Sequence, residues 1–142
     1  MSIRRLFFGV RRLSALGRQL IDLVPLNLKE WDPERHRHLT GVDVGPVLDF
    51  ARRLAAAKRP IWVRFVLVPG LTDEPAEIAS IADFAGGLGN VERVDVLPFH
   101  QMGQYKWKQL KLEYKLEALE PPSAKTVESA CARFRAAGLK AY

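Results

Sequence analysis

Cysteine is almost missing from this 142-residue chain, with Cys131 the single example. One thiol excludes an internal disulfide, and it excludes any all-cysteine metal or iron-sulfur site built within one copy. Cys131 lies between Ala130 and Ala132 with Phe134 nearby, a setting that points to packing. Scarcity of thiols fits a reducing cytoplasm. Long apolar runs are lacking too: no stretch approaches the ~20 residues that a membrane-spanning helix needs, so the sequence reads as that of a soluble protein. No Ser-His-Asp order, Gly-rich phosphate loop or paired-carboxylate site can be defended.

Acidic residues are absent before Asp22, whereas Arg4, Arg5, Arg11, Arg12 and Arg18 all precede it. An Arg-rich, acid-free leader over residues 1–20 shares its pattern with organelle transit peptides, but an irregular start leading into a helix at about Arg11 to Leu20 is the better reading. The net charge of +6 and pI near 9.8 permit nucleic-acid binding. Beyond the leader, however, the basic residues are interleaved with Glu and Asp as on an ordinary solvated surface, so a nucleic-acid partner is not expected. The 48% apolar content suffices for one modest core. A whole α/β barrel needs roughly 200 residues or more, so residues 21–142 predict one domain or part of one.

Four short apolar stretches separated by helical patterns predict an α/β fold of parallel strands alternating with helices. The first strand spans Asp22 to Leu28. Asp32 can then cap a short helix with Pro33 in its first turn, ended by Gly41. A helix over Pro46 to Lys58 turns Val47, Phe50, Ala51 and Leu54 inward and is broken by Pro60. The second strand, Ile61 to Val68, stops at Pro69-Gly70. Thr72 or Asp73 can cap a helix from Pro75 that carries Ile78, Ile81, Ala82 and Phe84 inward and ends in the glycines from Gly86 to Gly89. Val91 to Leu97 is the third strand. Phe99 to Pro122 has aromatics but little periodicity, a length that in a compact domain is usually functional. A last helix, Ser123 to Ala137, leaves Leu139 to Tyr142 for a short terminal strand.

Alternate residues of a strand point to opposite sheet faces, and one face of a barrel strand looks into the barrel. Val24, Leu26 and Leu28 suit packing under helices; Pro25, Asn27 and Lys29 share the other face, which becomes polar toward the C-terminal end that carries sites in βα barrels. Arg64 stands among Trp62, Val66 and Val68 and needs an anionic partner, either a buried structural ion pair or a ligand carboxylate. His100 follows the third strand at the same end, where it can serve structure, donate to a ligand or move a proton. His36 and His38 read as solvated surface.

Several segments then occur in a fixed order: Asp22-Leu23-Val24-Pro25-Leu26-Asn27-Leu28-Lys29, Leu39-Thr40-Gly41-Val42, Trp62-Val63-Arg64-Phe65-Val66-Leu67-Val68-Pro69-Gly70-Leu71-Thr72-Asp73, Gly89-Asn90-Val91-Glu92, and Leu97-Pro98-Phe99-His100-Gln101-Met102-Gly103 with Lys106-Trp107. From about Ile21 onward the chain resembles the pyruvate formate-lyase activating enzyme family. The resemblance implies the C-terminal part of a partial (βα)6 radical-SAM-type barrel. It also implies S-adenosylmethionine and a 4Fe-4S cluster as cofactors, and a glycyl-radical enzyme as protein partner. The family's cluster motif, Cys-x3-Cys-x2-Cys, has no counterpart here. Without it no electron reaches the sulfonium and no glycyl radical is installed, so these residues alone are expected to be inactive.

Carried over by position, Lys29 is implied as a partner of the S-adenosylmethionine carboxylate, and Arg64 and His100 as cofactor or substrate-loop contacts. Asn27 stands where the family usually has an aspartate near a bound cation, and an amide keeps only the carbonyl for such a role. Pro25 removes a ladder donor from the same strand. Tyr105, Trp107 and Tyr114 fall where the family meets its partner protein; a lid packed on the barrel end is the other reading. Two functions follow, one being a catalytic portion completed by a complementary half chain. The alternative is a non-catalytic module docking on a glycyl-radical enzyme or on a full-length activase. Exposed strand edges and an uncovered apolar face lead us to expect aggregation or dimerisation.

Overall fold

The computed structural model describes residues 22–142. The basic leader and the helix expected at Arg11 to Leu20 lie outside the described residues. Three parallel strands form one sheet in the order β1-β2-β3, with β1 at Val24–Asn27, β2 at Ile61–Leu67 and β3 at Val91–Pro98. The terminal segment adds a parallel bridge on the far side of β3, where Val94 pairs with Ala141 and Val96 N donates to Tyr142 O at 2.9 Å. Helices α1 (Pro33–Thr40), α2 (Gly45–Ala56) and α3 (Pro75–Leu88) connect the strands, and α5 (Ala124–Ala136) precedes the terminal bridge. The alternation read from the sequence is thus the α/β architecture observed.

Period-two hydrophobicity explains why one sheet face is covered. Ile61, Val63, Phe65 and Leu67 of β2 are all buried, as are Leu26 and Leu28 beside β1 and Val94 and Val96 in β3. Against this face lie Ala51 and Leu54 of α2, Ile78, Ile81, Ala82 and Ala85 of α3, and Ala130, Cys131 and Phe134 of α5. Phe65 and Phe134 join sheet to helix, their ring centroids 5.6 Å apart. Gly86 lets α3 and α5 approach, because a Cβ there would meet Ala137 O at 2.7 Å.

Local chemistry sets the connections. Asp32 caps α1, accepting from Glu34 N and Arg35 N, Pro33 opens it, and Gly41 closes it at φ 75°, all as expected. The cap expected from Thr72 or Asp73 on α3 is not made: Glu74 is the N-cap and its side chain makes no capping bond. Those two residues instead finish β2. Thr72, itself buried, donates from Oγ1 to Val66 O at 2.7 Å and accepts from Val68 N at 2.8 Å, while Asp73 accepts from Gly70 N. The strand's last backbone groups compete for the same side chains and lie closer. His36 is likewise buried rather than solvated, its Nδ1 3.0 Å from Val42 O and 3.1 Å from Thr40 Oγ1, since the turn after Gly41 folds back over it.

Pro25 costs the described sheet nothing. Val24 N donates to Pro60 O and Leu28 N to Arg64 O, so the even positions of this segment face β2. Position 25 faces the opposite edge, where no strand pairs among the described residues.

Candidate functional site

Helices cover one face of the sheet, and the side chains on the other face form the candidate site. The register pairs Asn27 with Arg64 and Arg64 with Asp95, which sets these three residues in one lateral row. One step toward the strands' N-terminal ends, Pro25, Trp62 and Arg93 form a second row. With adjacent strands about 4.8 Å apart, each row spans roughly 10 Å.

The upper end of this face carries the candidate residues. Asn27, Lys29, Arg64 and His100 are all exposed, and Asn27 of β1, Lys29 just after it and Arg64 of β2 are not committed to another described side chain. Arg64 forms no ion pair with a described residue, so a buried structural pair is excluded among them. The sequence left that alternative open because neighbouring apolar residues resemble a core, whereas Trp62 and Val66 lie on the uncovered face and are only half-buried. His100 Nδ1 accepts from Met102 N at 3.4 Å and so opens the short 3-10 turn Gln101–Gly103. Lys29 and Arg64, unpaired among the described residues and close to the Asn27 amide, suit a carboxylate or another compact anion.

The lower end is closed on itself. The Arg93 guanidinium lies 4.7 Å over the Trp62 ring and 5.3 Å over the Tyr142 ring, and its Nε donates to Asp95 Oδ1 at 2.8 Å. Glu92 accepts from Trp62 Nε1 at 3.2 Å. An open depression of about 500 Å³ lies among Trp62, Glu92, Arg93, Lys140 and Tyr142. Arg93 is already neutralised there, so this hollow offers an anion less than the upper end does.

Behind Lys29, Glu30 is buried at 3% exposure. Its Oε1 accepts from Trp31 N and its Oε2 from Arg35 Nε at 3.3 Å. Burial and the nearby Glu77 carboxyl push Glu30 up to about 7, against the pull of Arg35. Sequence reading missed this group although parity held the signal: position 30 follows Leu26 and Leu28 on the helix-facing side.

The long segment after β3 contains α4 (Gln104–Gln109) and is tied down by Gln101, whose Nε2 donates to Leu116 O at 2.9 Å and to Leu119 O at 2.7 Å. Trp107 stacks on Tyr114 with centroids 5.7 Å apart. Met102, Tyr105, Leu110 and Leu112 remain exposed along it.

An iron-sulfur cluster does not fit these residues. Among the described residues no group of three His, Cys, Asp or Glu side chains is placed to hold a metal ion. Cys131 is buried in the core, where desolvation raises its thiol, so it supplies no accessible thiolate. The exposed cations and amide of the upper end do fit the carboxylate of S-adenosylmethionine.

A parallel sheet with described helices on one face and polar residues at the C-terminal end of the other is a fold shared with solved proteins. A solved radical SAM methyltransferase from Sphaerobacter thermophilus superposes with a TM-score of 0.64 at 18% identity, over 83% of this chain and 32% of that one. A solved domain of pyruvate-formate lyase-activating enzyme from Bacteroides vulgatus superposes with a TM-score of 0.72 at 23% identity, over 88% of this chain and 68% of that one. In sequence, the chain is 42% identical over 109 residues to the pyruvate formate-lyase-activating enzymes of Staphylococcus epidermidis and Listeria monocytogenes, which is 77% of this chain. Over this segment the chain is thus similar to pyruvate formate-lyase-activating enzymes, and it spans 43% and 44% of the length of these two relatives. No family model matches the chain.

Proposed function

We propose that this chain is the C-terminal, S-adenosylmethionine-holding portion of a cytoplasmic radical SAM activase whose protein partner is a glycyl-radical enzyme. The observation that carries this reading is the pair of cations, Lys29 and Arg64, exposed and uncommitted among the described residues, at the C-terminal end of parallel strands. In this reading Lys29 donates to the cofactor carboxylate, Arg64 and Asn27 hold polar groups beside it, and His100 contacts the cofactor or the substrate loop. S-adenosylmethionine supplies the group that becomes a radical, and the 4Fe-4S cluster takes its ligands from outside these residues. The chain is accordingly inactive until a complementary, cysteine-bearing half covers the bare face.

Calorimetric titration of the full chain with S-adenosylmethionine tests the reading. Lys29→Ala and Arg64→Ala should each weaken binding about tenfold or more, the loss expected for one charge-assisted hydrogen bond. Binding that is unchanged in both variants would sink it. Anaerobic reconstitution with iron and sulfide should give no stoichiometric cluster signal by EPR in the chain alone.

A docking module is favoured by a separate observation, the exposed Met102, Tyr105, Leu110 and Leu112 on the segment anchored by Gln101. Such a module would bind a glycyl-radical enzyme without iron or S-adenosylmethionine, which a pull-down in chelator checks.

A further inference from the structure

The segment that follows Lys29 is fastened by an arrangement of two carboxyls and one guanidinium. Glu30 is buried, and the charged groups facing it are Arg35 from α1 and Glu77 from α3. Glu77 Oε2 also accepts from Asp32 N at 2.9 Å, and Arg35 Nη2 donates to Leu71 O at 2.9 Å in the loop after β2. Lys29 and Asp32 flank Glu30 in the chain; Asp32 caps α1, Asp73 is turned to Gly70 N, and Arg52 of α2 lies over Phe84, 5.3 Å from its centroid. Trp31 itself stacks on Phe84 with centroids 5.5 Å apart. Three elements thus converge within four residues of Lys29.

One guanidinium cannot neutralise two carboxylates, and Arg35 is itself part-exposed with one nitrogen committed to a carbonyl. Glu30 Oε1 takes the amide of Trp31 at 3.2 Å and Glu77 Oε2 that of Asp32 at 2.9 Å, so the two carboxyls sit on consecutive backbone amides. Neighbouring carboxyls are held together by a shared proton and driven apart by its loss. We propose that Glu30 is a positioning residue whose carboxyl shares a proton with that of Glu77, latching the Lys29 segment onto α3, and that loss of this proton loosens Lys29 from its cofactor-binding position. The second half rests on the reading that Lys29 contacts S-adenosylmethionine. The latch itself does not.

The sign follows from the raised carboxyl. Its stabilising contribution is complete below the ordinary value near 4.5 and is lost as pH rises through about 7. The latch is therefore closed in mildly acidic solution and open in alkaline solution.

Carboxyl-carbon NMR of the full chain, with glutamate labelled, reads the proton directly. One glutamate should titrate near pH 7, and Glu77→Gln, whose amide donates to the Glu30 carboxylate, should lower that midpoint while burial still holds it above the ordinary range. Amide exchange of Asp32, corrected for intrinsic base catalysis, should lose protection on the order of tenfold between pH 6 and pH 8, the change in a group's protonated fraction across a midpoint of 7. Glu30→Gln keeps size and a donor, so it should hold protection at both values. If every glutamate titrates in the ordinary range, or Asp32 protection ignores pH, the latch is overturned. S-adenosylmethionine affinity should fall across the same interval in the native chain and stay level in Glu30→Gln. Absence of cofactor binding at any pH, with the titration intact, would remove the cofactor reading and leave the latch standing.

Discussion

Arg64 and Arg93 occupy adjacent strands of one sheet face, two rows that differ by a single step in register, yet they have opposite fates. Arg93 is sandwiched between Trp62 and Tyr142 and paired with Asp95, whereas Arg64 meets no described carboxylate. Position along the strand makes the difference. At the N-terminal end the terminal segment folds alongside β3 and brings Tyr142 over the guanidinium; at the C-terminal end no described carboxylate or ring is placed over Arg64. A buried or covered arginine must be matched within the fold, and an uncovered one is left available for a ligand.

The most drastic way to break this comparison is to remove the platform under both ends. Phe134 is fully buried and packs on Phe65 of β2, so Phe134→Ala should cost about 3–5 kcal/mol, read as a lowered unfolding midpoint in urea. A sharper test exchanges the two arginines. Arg93→Ala loses two cation-π contacts and strands the Asp95 carboxylate, which should cost about 1–2 kcal/mol. Arg64→Ala should change stability by no more than about 0.5 kcal/mol, as an exposed side chain does, while anion binding weakens about tenfold or more. Freed from Arg93, Asp95 lies in register beside Arg64, so Arg93→Ala should also weaken anion binding; equal stability for the two variants would erase the distinction drawn here. The smallest effect is expected from Asn27→Asp, which sets a carboxylate beside Arg64 in the row. Stability should stay within about 0.5 kcal/mol, and magnesium or calcium should bind measurably tighter by calorimetry.

Strand parity made much of this legible. The alternation of Ile61, Val63, Phe65 and Leu67 with Trp62, Arg64 and Val66 fixes which face is covered, and the same count assigns Asn27 and Lys29 to the bare one. Asp32, Pro33 and Gly41 fixed α1 by local chemistry. What escaped was decided by distant partners. Thr72 and Asp73 have the right spacing for a helix cap, but the end of β2 offers them nearer donors and acceptors. His36 has no apolar pattern to mark it as buried; the chain returning through Val42 buries it. Glu30 needs Glu77, 47 positions onward in the sequence, before its environment can be read.

Pro25 has a consequence for how copies of this chain meet. The outer edge of β1 presents the amides of alternate residues, and at position 25 there is none to present. Stacked strands in a fibril need every rung of the ladder, and identical chains all carry the same missing rung at the same height. The imino acid thus blunts ribbon growth along that edge, so any adhesion between copies is expected through the face that carries Trp62, Val66 and Leu97 instead.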